Sequence, residues 1–454
     1  MLSETKSRSR KASQARKSSL PLAGPGPSVT GSGKAAVRET LTHYIGAQAT
    51  NSARHARAVR AFDPADFGDA PSAPREAHLK AVNTLLAQAG THQARAIGLL
   101  QKRASLAAAE PTKARLRALN NVKALAEHRT QITEKIWLFY LQLFEQRLGP
   151  FGDKLLAMDR VALDCYQACY MGLGQARSIP TPPPFSYVEA GHGPATYRRG
   201  VLVSRIAKNP NPFPLVKLPY TRLINPWSLG AVPHEIGHNL QNDLNLWKAA
   251  PRLIHDALRR KGVPESVTRT WRDWHKEKYA DLIGVLLIGP AYVASLMDVV
   301  GKPDRIVARF RPGAVHPTSF LRVLINCHLL GRIGFKREAA RLEAAWRALY
   351  PASVERDIPA EFRRHFPVAM ATAVDALCFQ PHSAYGGKRL VDVVRYRAQD
   401  AEMVSEAAQR LAMKTNPGIL PERFFIAAVR QALDQRLAPP EILTEAFYST
   451  LLGR

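Results

Sequence analysis

Between about residues 76 and 175 the large apolar side chains recur every three or four positions. Leu116, Leu119, Val122, Leu125, Ile132, Ile136, Phe139, Tyr140 and Leu143 fall on one face of a long helix. Leu148-Gly149-Pro150 supplies its stop, and a second helix is expected over about 153–173. The period then changes. Pro180-Thr181-Pro182-Pro183-Pro184 is a rigid break, and 185–222 is dense in Pro, Gly, Tyr and Val. Short strands are expected at 185–188, 200–204 and 215–218, separated by Gly, Pro and Asn turns, and a small antiparallel sheet is their natural arrangement. From 223 onward the pattern is helical to the end, with Gly/Pro punctuation near 289, 312, 351, 386 and 417. The fold class is therefore α+β and mainly helical, with an N-terminal helical region over 76–178, a core over 180–300 and a helical C-terminal region over 301–454.

Residues 1–60 follow another rule. They carry few large apolar side chains and hold eleven Lys/Arg against two Asp/Glu. Such a composition buries too little surface to offset chain entropy, so a disordered basic tail is expected, serving to solubilise, to target or to bind anions. The whole chain has 64 Lys+Arg against 37 Asp+Glu, a formal charge of +27. That field favours an acidic partner or an anionic surface without choosing among nucleic acid, lipid and protein. One stretch, Asp281 to Val300, imitates a membrane span. Asp281, Asp298 and the Gly289-Pro290 break argue instead for two buried helices and no transmembrane segment. Four cysteines, Cys165, Cys169, Cys327 and Cys378, are too few for a disulfide framework in 454 residues and read as buried reduced thiols. Without a secretory signal, a soluble and cytoplasmic protein is the default expectation, with export by a non-classical route as the alternative.

The chemistry is concentrated in His234-Glu235-Ile236-Gly237-His238. Two histidines four residues apart on a helix point the same way and offer two imidazoles to one tetrahedral ion. Glu235 projects beside that ion, where a carboxylate can take a proton from an activated water. With fourteen histidines in the chain, the pattern is expected by chance roughly 0.02 times. The apolar residues Val232, Ile236 and Leu240 place it on a half-buried helix, and Gly237 allows close approach of another backbone.

A third ligand is needed. A metzincin would continue with Gly and His where this chain has Gln241 and Leu244. A glutamate from a later helix, followed four residues on by an aspartate that orients the first histidine, is the other solution. Glu277-Lys278-Tyr279-Ala280-Asp281 begins thirty-nine residues after His238. Glu277 and Asp281 share a helix face, so one can close the coordination shell while the other accepts an imidazole N–H. Asp281 also opens the apolar run Leu282–Ile288, where a carboxylate is costly without a buried partner. Asp273 and His275 are weaker candidates, since neither has such an aspartate behind it.

His234-Glu235-x-x-His238 followed by Glu277-x-x-x-Asp281 resembles the gluzincin zinc metallopeptidases, the thermolysin-like branch of the zincins. The resemblance covers about 80 residues, from the strand near 213 to Pro290. It departs from thermolysin in the longer gap before the glutamate and in having Lys276 where an Asn would precede it. It implies one Zn2+ held by His234, His238 and Glu277, Glu235 as general base and Asp281 behind the ligands. It further implies a zincin-like core over 180–300, its sheet packed on the active-site helix and the 301–454 region forming part of the cleft. Leu215–Leu218, just before that helix, would be the edge strand on which an extended peptide adds.

A donor for the developing oxyanion is also expected. Tyr385, in the glycine-flanked loop Pro381–Arg389, is the first candidate, and His316, in His316–Arg322, the second. The function these residues favour is zinc-dependent hydrolysis of a protein or peptide substrate, as an endopeptidase. The alternative is a non-catalytic zinc-containing protein acting through its basic surface on nucleic acid or an anionic membrane. Hydrolysis of a non-peptide amide would use the same residues.

Overall fold

The computed structural model describes residues 31–174, 178–191 and 193–453, and these are mainly helical with a small sheet. They fall into two compact units: the described part of Met1–Ala56 with Arg95–Glu127, and Arg57–Ala94 with the described residues from His128 onward. In the first, the helix Gly31–Ala58 occupies part of the segment expected to be disordered. Its side chains Ile45 and Ala53 join a core of small residues that includes Ala96, Leu100, Ala104 and Ala126. Alanine packing of this kind leaves no periodic signal of large apolar residues, which is why composition pointed to a tail. Residues 1–30 of the expected tail lie outside the described residues.

The expected helix pattern holds closely. Lys113–Glu145 is the expected long helix, and Gly152–Leu173 the second one. The membrane-like stretch is two helices, His275–Ile288 and Pro290–Val300, divided at Gly289 with φ +58°. A Cβ there would come within 2.3 Å of the Tyr396 ring, so the position requires glycine twice over. No helix among the described residues is long and apolar enough to cross a membrane. All four cysteines are buried and free, as expected.

The five strands among the described residues are β1 (Phe185–Val188), β2 (Ala195–Tyr197), β3 (Leu202–Val203), β4 (Asn209–Pro210) and β5 (Leu215–Leu218). The main sheet has the order β1-β5-β2 and is mixed rather than antiparallel: β1 runs parallel to β5, and β2 antiparallel to it. β3 and β4 form a separate pair. Leu215, Val216 and Leu218 are all fully buried, the near-continuous apolar run of a strand covered on both sides. β5 is accordingly the middle strand, and the expectation that it offers a free edge is corrected. The edges are β1 and β2, each paired among the described residues with β5 alone.

One extended core joins the Gly152–Leu173 helix, the inner face of β5, the Ala231–Asp243 helix and the helices that follow, through residues as late as Leu451. A second, aromatic cluster of Phe62, Phe67, Tyr140, Phe144, Phe185 and Phe213 packs beside β1 and β5. The Ala231–Asp243 helix thus has apolar support from Val232, Ile236 and Leu240, all fully buried, while His234, Glu235 and His238 meet the cavity described next.

Candidate metal centre and its cavity

His234 and His238 lie on the Ala231–Asp243 helix with ring centroids 4.7 Å apart and planes at 82°. Glu277 stands on the His275–Ile288 helix. The two helices approach at Gly237, where a Cβ would lie 2.7 Å from Ala280 Cα. Without a side chain at 237, the Glu277 carboxylate reaches both imidazoles.

His234 Nε2 is 3.5 Å from Glu277 Oε2, and His238 Nε2 is 3.4 Å from Glu277 Oε1. One donor atom from each of the three residues fits within a 4.8 Å cluster. Ligand atoms about 2.0–2.1 Å from a tetrahedral zinc are about 3.3–3.4 Å apart, so the spacing suits a shared ion. Two neutral imidazoles and one carboxylate also form the donor set of a zinc site with an open position.

The charges of the three side chains point the same way. Burial disfavours a charge on His234, but hydrogen bonds to Asp281 and Glu277 outweigh it and raise its pKa to about 10. Burial and the His234 charge push His238 down to about 3. Burial also opposes ionisation of Glu277, but its contacts with His234 and Arg322 hold it below the usual carboxylate range. A single proton on His234 thus supplies the positive charge that a cation between the three groups would supply.

Asp281 secures His234 from behind. Its Oδ1 lies 2.9 Å from His234 Nδ1 and accepts from the Tyr292 hydroxyl at 2.5 Å. Arg322 donates from Nε to Oδ2 at 2.6 Å and from Nη2 to Oδ1 at 2.7 Å, and Asn326 Nδ2 donates to Oδ2 at 3.4 Å. The carboxylate is 1% exposed, so the buried partner that the apolar run demanded is Arg322. Burial would raise its pKa, and the Arg322 charge and hydrogen bonds more than reverse that. With Nδ1–H of His234 directed at this carboxylate, the Nε2 lone pair is left for the ligand position.

Glu235 is buried and lines the same cavity of about 640 Å³, as do His234, His238 and Glu277. Burial raises its carboxyl to about 7, against the pull of the His234 charge. His316 reaches the cavity, its exposed ring placing Nε2 3.3 Å from Glu277 Oε2. Tyr385 does not. It is buried, its hydroxyl is 3.1 Å from that of Tyr279, and it is not among the residues lining the cavity. Its loop is held elsewhere, with Lys388 Nζ donating to the Gly172 carbonyl at the end of the Gly152–Leu173 helix. His275 is also outside the cluster, with Nδ1 2.8 Å from the Arg272 carbonyl.

Tyr292 and Asn326 complete the surroundings of Asp281 and were not singled out by sequence. Tyr292 follows the apolar run by four residues, and no local pattern marks a tyrosine as the partner of a particular aspartate. Arg322 was legible as a cation near His316, but its bidentate grip on Asp281 was not. Compared with protein-family models, curated proteins and solved structures, the chain matches none.

Proposed function

We propose that this protein is a zinc-dependent peptidase of gluzincin type, with a zincin-like core, in which His234, His238 and Glu277 hold the metal and Glu235 moves protons. The observation that carries the reading is the convergence on one cavity of three donors at zinc spacing and a separate buried carboxyl. A purely structural site has no use for that fourth group.

A zinc ion bound there would supply Lewis acidity that acidifies water and polarises a carbonyl. The chain's own groups do the rest. Glu235, kept near neutrality by burial, accepts the proton of the attacking water and returns it to the departing amine. A divalent cation beside it would pull its pKa down from about 7, favouring the carboxylate form needed for the first transfer. Asp281, gripped by Arg322, keeps His234 in the tautomer and orientation that ligation requires. His316 faces the cavity and supplies an N–H to charge developing on the carbonyl oxygen. The peptide itself pairs with β2 rather than β5. β2 is one of the sheet's two edges, and it is the one whose residues Ala195 and Thr196 line the cavity. Asn239 Nδ2 donates to Thr196 Oγ1 at 2.8 Å, tying that edge to the helix of the histidines.

Glu235→Gln tests the assignment. The variant is expected to retain one zinc per chain by elemental analysis and to lose hydrolysis of a peptide library by about 10²–10⁴-fold. Undiminished hydrolysis sinks the role of Glu235. Zinc bound without cleavage of any library by the wild type sinks the peptidase reading and favours a binding protein acting through its basic surface.

A further inference from the structure

The metal centre leaves one part of the cavity wall unused. Arg198, Trp247 and Lys276 line it together and are each half-buried. The Arg198 guanidinium carbon sits 3.5 Å from the Trp247 ring centroid, and Lys276 Nζ lies 4.7 Å from it. Both are within cation–π range of one indole. Among the described residues neither cation makes an ion pair. The partner found for Arg198 is neutral, the Asn242 Oδ1 at 3.2 Å, and Asp243 acts on it only from beyond ion-pair distance. The carboxylates lining the cavity are Glu235 and Glu277, both committed to the metal centre.

Two like charges over one ring repel, and the arrangement is relieved by an anion delivered to it. The ring fixes the guanidinium, so less side-chain freedom is lost when its N–H fork takes a carboxylate. The surface elsewhere on this chain is basic too, but these two cations are held inside the cavity.

The position is equally specific. Thr196 of β2 is bonded to Asn239, and Arg198, two residues further along, is bonded to Asn242, three residues further along the helix. β2 and the histidine helix therefore run in the same sense past the metal centre. From the level midway between His234 and His238 to that of Asn242 is six residues, about 9 Å of helix rise. An extended peptide covers that distance in roughly two to three residues.

Building on the peptidase reading, we propose that Arg198 and Lys276, organised by Trp247, form a carboxylate-reading subsite two or three residues from the scissile bond. The carboxylate is an Asp or Glu side chain of the peptide or its free C-terminus. The Lys276 that sets this chain apart from thermolysin is then part of its specificity.

The test is a binding series on zinc-loaded Glu235→Gln protein, read by fluorescence anisotropy. A single Glu is moved through a neutral octapeptide, against the matching Gln peptides, with free-acid and amidated C-termini as separate arms. At one position Glu is expected to bind at least tenfold more tightly than Gln. The advantage falls below twofold when Arg198→Gln and Lys276→Gln are added, singly in part and together in full. A preference confined to the free-acid arm identifies the chain end as the source. Equal binding of Glu and Gln peptides everywhere, or a preference that survives the double substitution, overturns the subsite. The peptidase reading is judged separately, by whether the wild type cleaves the same peptides. Cleavage without acidic preference removes the subsite alone, whereas acidic binding lost with Arg198 and Lys276 in a protein that cleaves nothing removes the peptidase reading alone.

Discussion

On the wall around Asp281 the carboxylate is enclosed by His234, Tyr292, Arg322 and Asn326, while on the wall around Trp247 the cations Arg198 and Lys276, the latter from the first turn of the same His275–Ile288 helix, have no carboxylate of their own among the described residues. The first wall is nine-tenths or more buried, and its carboxylate is satisfied by the protein itself. The second is half open and is left for something that enters the cavity. A buried charge must be paired before the chain can fold around it, whereas a half-exposed one can wait for a ligand. The same cavity thus separates groups that hold the centre in shape from groups free to choose what is bound there.

Breaking the satisfied wall should have the largest effect. Asp281→Ala leaves the buried Arg322 with only its 3.5 Å contact to Glu277 and is expected to destabilise the fold by about 3–5 kcal/mol in chemical denaturation. It should also weaken zinc binding by about 10–100-fold through loss of the His234 partner. A change below about 1 kcal/mol would mean that the carboxylate is not the anchor of this wall.

Next comes the helix contact that assembles the donors. Gly237→Ala puts a methyl group 2.7 Å from Ala280 Cα, so about 1–3 kcal/mol of overpacking is expected. The separation of the helices should lower zinc affinity as well. Unchanged affinity, measured by competition with a chelator, would show that the donors tolerate a wider gap.

The third effect is on pH. With the pKa of His234 raised to about 10 in the metal-free protein, zinc must displace that proton. Below pH 10 the affinity should rise roughly tenfold per pH unit, about 1.4 kcal/mol, with about one proton released as read by calorimetry in buffers of different ionisation enthalpy. The same proton stabilises the metal-free fold. Its contribution is full below the ordinary histidine value of 6.5 and is lost as pH rises through about 10. The zinc-loaded protein should not show this alkaline loss. Parallel stability profiles with and without zinc would contradict the shared position of proton and metal.

The smallest effect belongs to the open wall. Lys276→Gln removes a half-buried charge with no ion pair, so stability should change by no more than about 0.5 kcal/mol. A large loss would make Lys276 a structural residue and erase the contrast.

What could be read from sequence was whatever depends on neighbours along the chain. His234, Glu235 and His238, then Glu277 and Asp281, are related by one-turn spacings, and a helix fixes their directions whatever surrounds it. The Gly289-Pro290 division was legible for the same reason. Partners distant in sequence were not. Whether Leu215–Leu218 is an edge or a middle strand depends on its pairing with Phe185–Val188 and with Ala195–Tyr197, which alternation does not encode. Tyr385 looked available because its loop is rich in glycine, yet a contact from Lys388 back to Gly172 ties that loop elsewhere. The Gly31–Ala58 helix was hidden because small residues pack without a strong apolar period. Arg198 drew no notice, since only the meeting with Trp247 and Lys276 gives it meaning.

The central claim is that His234, His238 and Glu277 hold one zinc ion. X-ray absorption at the zinc edge, on protein reconstituted to measured stoichiometry, tests it most directly. The account predicts one zinc per chain with two imidazole nitrogens and light oxygen donors at about 2.0–2.1 Å, and loss of the signal in His234→Ala and His238→Ala. An unchanged zinc spectrum in those two variants, or a wild-type protein that takes up no zinc, would contradict it.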